Sequence, residues 1–271
     1  MVAENICSLP LNRAATQTVI EVLHGRPALL HHHDLPWQRP RFEDVAGLPA
    51  DDRSWIHVVT TELSAGQLAQ RRGICATVVS NAFDVDAPGG SRDRARMAMA
   101  IAPDERVLLQ PTRALARKNI PAGLALADAV DATYWLTGAA EEGYGPELAR
   151  LLSAARTRTI HGNPGLDPAD VYAAADAVVL PSTWEGFGNP AIESAIYRRP
   201  LAIGDYPVAD ELRAFGFAWF PVRDPSPLAG WLEHPDIEVI NANQSVARRH
   251  FSLARLRRQL RHLLDERGWL P

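Results

Sequence analysis

Cysteine is nearly absent from this chain of 271 residues, Cys7 and Cys75 being its only two. They lack metal-ligand spacing and cannot build a disulfide framework, so both read as core residues of a protein kept in a reducing compartment. Long apolar runs are also missing. None approaches the length that crosses a bilayer, and the opening Met-Val-Ala-Glu-Asn has neither the basic nor the apolar region of a signal peptide. A cytoplasmic protein is the expectation. Strong charge of one sign is missing as well: the formal net charge is −4, which gives no support to bulk binding of nucleic acid. What remains is an ordinary globular composition, long enough for two domains with a sizeable core.

Taken in order, the chain alternates short β-branched runs with helical stretches. Strands are expected over residues 2–7, 28–33, 55–60 and 76–80, with helices over 12–23 and 66–72 between them. Residues 81–90, Asn-Ala-Phe-Asp-Val-Asp-Ala-Pro-Gly-Gly, form a turn-rich exit that reads as a linker. The alternation then resumes, with strands over 106–110, 132–137, 157–161, 177–180, 201–203 and 217–222. A last helix is expected over 246–266, with leucines at 253, 256, 260 and 263 on one face and arginines on the other. Such alternation predicts α/β architecture: two doubly wound, Rossmann-like domains, residues 1–86 and 87–271. Ligands of such sheets bind beyond the carboxyl ends of the strands.

The most informative stretch is 176–193, Asp-Ala-Val-Val-Leu-Pro-Ser-Thr-Trp-Glu-Gly-Phe-Gly-Asn-Pro-Ala-Ile-Glu. It reads as a buried strand, a glycine loop and the start of a helix. Gly186 and Gly188 flank Phe187, so backbone N–H groups can approach a ligand closely. Asn189 suits an N-cap and Pro190 the first helical turn, which directs the positive end of the helix dipole toward the loop and makes an anion site. Glu185 and Glu193 bracket this site. Ionised carboxylates only accept, so their expected work is to bind hydroxyl groups on either side of a phosphate, a layout that suits a nucleotide sugar. The competing reading is an ordinary loop with a surface glutamate at each end.

A second loop follows the first strand of the second domain: Gln110-Pro-Thr-Arg-Ala-Leu-Ala-Arg-Lys-Asn-Ile. Arg113 and Lys118 are placed to offset the charge of a diphosphate leaving group without a metal, with Arg117 as a spare cation. Alone, this segment reads better as a basic surface loop, and it is the glutamate-bracketed stretch later in the same sheet that favours the diphosphate reading. No Asp-any-Asp pair is placed to hold a metal diphosphate, and neither a metal nor another cofactor is expected.

Together these motifs resemble the nucleotide-binding domain of retaining GT-B-type glycosyltransferases of the family 4, or group 1, class. The resemblance rests on Pro-Thr-Arg113-Ala-Leu-Ala-Arg-Lys118, on 171–182 and 185–193, and on Asn-Ala-Phe-Asp84, and it covers most of residues 76–222. Two positions depart from the family pattern: Thr112 and Asn119 stand where glycines are usual. The resemblance implies that Arg113 and Lys118 hold the diphosphate, Glu193 the ribose and Glu185 the hexose, with the amides of Gly186, Phe187 and Gly188 and the adjoining Asn189 alongside. It also implies that His33, followed by Asp34, contacts the donor sugar, and that His161 lies near the base. His31, His32 and His33 invite a metal reading, but strand alternation puts only His31 and His33 on one face.

The implied reaction is transfer of a hexose from a GDP- or UDP-linked sugar to an acceptor of unknown identity, with retention at the anomeric carbon. A nucleotide-sugar-binding protein without turnover, and a sugar-nucleotide epimerase on the same architecture, are the alternatives. Family members carry about seven strands in the first domain, so the first domain here is expected to be incomplete at its N-terminal side. The strand over 2–7 then has an unpaired edge, and self-association or a separately encoded N-terminal partner is the corresponding expectation.

Overall fold

A computed structural model of the chain describes residues 1–270 and resolves two compact units, Met1–Ala82 together with the chain from Ala254 onward, and Phe83–Leu253. The first unit is built on β1 (Val2–Glu4), α1 (Arg13–Leu23), β2 (Ala28–His32), β3 (Trp55–Val59), α2 (Glu62–Arg72) and β4 (Ala76–Val78). Its strands pair in parallel in the order β1-β2-β3-β4. Local chemistry sets the helix ends. Asn12 caps α1 by accepting the Ala15 N–H at 3.1 Å, and Thr61 caps α2 by accepting the Ser64 N–H at 3.2 Å, which starts α2 four residues before the glycine where a sequence reading begins it. β3 is buried along its whole length, as the run Trp-Ile-His-Val-Val requires of a strand covered on both faces.

The second unit contains α3 (Arg92–Ala98), β5 (Val107–Gln110), α4 (Ile120–Ala129), β6 (Thr133–Leu136), α5 (Gly145–Ala154), β7 (Thr159–His161), α6 (Pro168–Ala174) and β8 (Ala177–Leu180). It continues through α7 (Asn189–Ile196), β9 (Leu201–Ile203), α8 (Pro207–Arg213), β10 (Phe220–Pro221), α9 (Ser226–Glu233) and α10 (Ile237–His250). The sheet is parallel, in the order β10-β9-β8-β5-β6-β7. From β5 the chain first builds outward through β6 and β7, then returns to add β8 on the other side of β5. The strand order therefore reverses between β5 and β8. That reversal opens a crevice at the carboxyl ends of these two strands.

Several expected boundaries shift. The single helix expected over 246–266 is two: α10 ends at His250, and α11 (Leu253–Asp265) begins after the buried Phe251, whose carbonyl accepts the Phe83 N–H at 2.8 Å while Phe83 accepts the Leu253 N–H at 3.2 Å. These bonds between distant segments take up backbone groups that an unbroken helix would use. From Ala254 the helix belongs to the first unit rather than the second, where Leu256, Leu260, Leu263 and Leu264 pack on Leu29, Ile56, Val58 and Val79. The strand expected over 217–222 shrinks to Phe220–Pro221, and β1 stops at Glu4 because Asn5 turns to φ +59°. Cys7 is buried, with its thiol pKa raised to about 11, but Cys75 is exposed and not a core residue. Among the described residues no helix is long and apolar enough to cross a membrane.

Candidate functional site

Two loops flank the reversal point of the second sheet, 111–119 after β5 and 181–188 after β8. The first is held from below by a buried amide. Gln110 donates from Nε2 to the Lys118 carbonyl at 3.0 Å and to Thr112 Oγ1 at 3.2 Å, and its Oε1 accepts from the Tyr134 hydroxyl at 2.6 Å. The loop ends in a short 3₁₀ turn, Ala116–Lys118, followed by Asn119 in the left-handed region at φ 50° and ψ 52°. Asparagine is one of the few side-chain-bearing residues that enter this region readily, so Asn119 meets the same backbone need as a glycine.

The second loop depends on glycine at one position. Gly188 has φ +93°, and an added Cβ would lie 3.3 Å from the Tyr206 hydroxyl. Gly188, not Asn189, is the N-cap of α7; Asn189 is its first residue, with Pro190 in the first turn. Phe187 turns away from the loop into the core, edge-on to Phe251 at 5.9 Å.

Glu185 is the centre of the site. It is 6 % exposed and accepts from Lys118 Nζ, from Ser182 Oγ at 2.5 Å and from Arg117 Nη1 at 3.2 Å. Lys118 is equally enclosed, and burial lowers its pKa, against which the Glu185 carboxylate acts to retain the ammonium charge. Arg117 is therefore no spare cation. Besides Glu185 it binds the Trp184 carbonyl at 3.2 Å, and its own carbonyl accepts the Thr183 N–H at 2.9 Å, which ties the two loops together.

The remaining expected residues are distributed around this pair. Arg113 is exposed and ion-paired to Glu141 at 2.7 Å, yet close enough to Lys118 to help lower its pKa. Glu193, one turn into α7, accepts from the Tyr172 hydroxyl at 2.7 Å, and burial raises its pKa. His161 Nε2 meets the Gly138 carbonyl at 3.1 Å, and the Gly138 N–H in turn donates to the Thr112 carbonyl, so His161 sits against the base of the Arg113 loop. His33 lies in the first unit and is engaged with Glu4 at 2.9 Å.

Three residues of this region carry no signal in the sequence. Ser182 is a Glu185 partner. Among the described residues, the Tyr206 hydroxyl, beside Gly188, and the Trp184 indole N–H are buried without a hydrogen-bond partner. Unpaired buried polar atoms cost free energy, and two of them lie next to one glycine loop.

Comparison with known proteins bears on the family and the fold. Residues 115–230 match the family model described as glycosyl transferases group 1. The chain is 26 % identical to the mannosylglucosylglycerate synthase of Thermotoga maritima, over 83 % of this chain and 67 % of that protein. It is 22 % identical to the enzyme of the same name from Petrotoga mobilis, over 98 % of this chain and 73 % of that one. Among solved structures, Anabaena HepE in complex with UDP and glucose superposes with a TM-score of 0.77 at 18 % identity, covering 93 % of this chain and 75 % of that one. Sucrose-phosphate synthase from Thermosynechococcus elongatus superposes with a TM-score of 0.73 at 15 % identity, covering 98 % and 72 %.

Proposed function

We propose that this chain, a glycosyltransferase of the GT-B type matched to the group 1 family model through residues 115–230, moves a hexose from a UDP- or GDP-linked donor to an acceptor with retention at the anomeric carbon. The observation that carries this reading is the meeting of Lys118, Arg117, Ser182 and the buried Glu185 at the point where the strand order of the second sheet reverses. A buried ammonium and an exposed guanidinium five residues away suit a diphosphate. As the bond to the sugar breaks, charge grows on the leaving phosphate, and Lys118 and Arg113 stabilise it where water is scarce. Arg117 keeps Glu185 in place. Glu185 then offers its acceptor oxygens to hexose hydroxyls, and Glu193, on the far side of the loop, offers its own to the ribose. The Gly186 and Gly188 backbone lies between them, next to the start of α7, with Asn189 opening that helix and His161 on the side proposed for the base.

In this scheme cations and amides do what a divalent metal does in other transferases, and no cofactor takes part. The donor relatives and neighbours, one of them named for its complex with UDP and glucose, favour a nucleotide sugar over any other phosphate ester. The test is a panel of UDP- and GDP-sugars screened by thermal shift and calorimetry in excess EDTA, with the product anomer read by NMR. The reading expects one class of nucleotide sugar to bind without added metal and the product to keep the donor's anomeric configuration. An inverted product, or donor binding that needs Mg²⁺ or Mn²⁺, would contradict it.

A further inference from the structure

The first sheet carries a separate constellation of ligating side chains. β1 and β2 are in parallel register with Glu4 beside His31, and alternation along the strand brings the His33 ring back to the face of His31. Glu4 Oε2 is 2.9 Å from His31 Nδ1 and 2.9 Å from His33 Nε2. The two imidazole centroids are 4.2 Å apart, and one ligand atom from each of the three residues falls within 4.8 Å of the others. His32 is excluded by the same alternation: it faces the core, stacked on His57, with its Nε2 2.9 Å from His57 Nδ1.

The site is held in place from behind. Asn5, at φ +59°, accepts the backbone N–H of His33 at 3.0 Å and that of Asp34 at 3.2 Å through Oδ1, and the same oxygen accepts from Ser8 Oγ at 3.1 Å. Among the described residues His31 Nε2 is buried without a partner, so Nδ1 is the nitrogen of that ring that can serve a ligand. Glu4 is exposed along more than half its side chain, which leaves an open way in.

We propose that Glu4, His31 and His33 bind a transition-metal dication of the zinc class. Two imidazole nitrogens with one carboxylate oxygen suit zinc or cobalt, whereas calcium and magnesium require oxygen ligands throughout. Three protein ligands on a tetrahedral ion leave the fourth position to water or to an exogenous donor. Metal-to-ligand distances of about 2.0–2.2 Å imply ligand atoms roughly 3.3 Å apart, so the two Glu4 contacts need to open by a few tenths of an ångström, with the two histidine nitrogens within 4.8 Å of each other. The site lies wholly in the first unit and stands whether or not the donor reading of the second unit holds.

Zinc titrated calorimetrically into the EDTA-stripped, dialysed full chain tests this, with Co²⁺ absorption as a report on geometry. The expected result is one equivalent of Zn²⁺ and visible Co²⁺ bands of a four-coordinate site. Glu4→Gln, at an exposed position that leaves the fold intact by circular dichroism, and His33→Ala are each expected to weaken Zn²⁺ by roughly tenfold or more. His24→Ala, removing an exposed histidine paired to Asp52 instead, is expected to change nothing. Zinc binding that is equal in the parent, Glu4→Gln and His33→Ala, or no heat and no cobalt bands at millimolar metal, would overturn the proposal.

Discussion

The two ends of the second sheet use buried charge in opposite ways. At the amino end Asp176 accepts from Arg92 at 2.6 Å, from Arg96 at 2.8 Å and from the Val107 N–H at 2.8 Å. Arg96, itself buried, spends its other donors on the carbonyls of Ala174, Ala102, Pro103 and Glu105. The Asp176 carboxylate and the Arg96 guanidinium are thus hydrogen-bonded within the protein, and the cluster locks α3 to the sheet. At the carboxyl end Lys118 and Glu185 are as deeply buried, but among the described residues the Tyr206 hydroxyl and Trp184 N–H beside them have no partner, and the Arg113 guanidinium pairs with the exposed Glu141.

Breaking the closed end should have the largest effect. Arg96→Met removes a donor from the buried Ala174 carbonyl and from one oxygen of Asp176 and is expected to lower stability by about 3 kcal/mol, measured by urea denaturation, while nucleotide affinity of the folded protein stays at the parental value. At the open end the effects should appear in binding. Glu193→Gln is expected to weaken free nucleotide and intact nucleotide sugar alike, by about tenfold, whereas Glu185→Gln weakens mainly the nucleotide sugar. Equal losses for both ligands in the Glu185 variant would remove the division of labour between the two carboxylates.

The pH dependence sharpens the same contrast. Burial holds the Lys118 pKa below lysine's ordinary 10.5, so the ammonium, and with it the diphosphate contact, is lost as pH rises through that lowered value. Calorimetry across alkaline pH should show nucleotide affinity falling earlier than an exposed lysine would allow. Lys118→Arg should postpone the fall, since a guanidinium remains charged. The smallest expected effect is that of Tyr206→Phe: deleting an unpartnered buried hydroxyl should leave the stability within about 0.5 kcal/mol of the parent, while donor affinity drops a few-fold.

How legible this site is in the sequence depends on what each residue responds to. The strand over 177–180, the glycine loop and the paired glutamates are local patterns, and they fold as their chemistry dictates. Asn119 departs from a glycine pattern yet keeps the left-handed backbone, because the constraint is on φ and not on residue name. What the sequence does not reveal are relations between distant segments. Arg117 looks redundant until the loop after β8 brings Glu185 to it. The helix expected over 246–266 has unbroken helical spacing, and only the pairing of Phe83 with Phe251 and Leu253 interrupts it. Gly188 replaces Asn189 as the cap because the loop arrives in a left-handed turn that position 188 alone can make. Glu4 joins His31 and His33 only through the register of β1 on β2.

The central claim is that the open end of the second sheet holds the diphosphate of a donor, and calorimetry of UDP and GDP against the parent and Lys118→Gln, both in excess EDTA, tests it most directly. The account predicts that the nucleotide bound by the parent binds the variant roughly ten- to a hundredfold more weakly, the loss of one charge-assisted contact, with the variant still folded by circular dichroism. Parental affinity in a folded Lys118→Gln protein would contradict it.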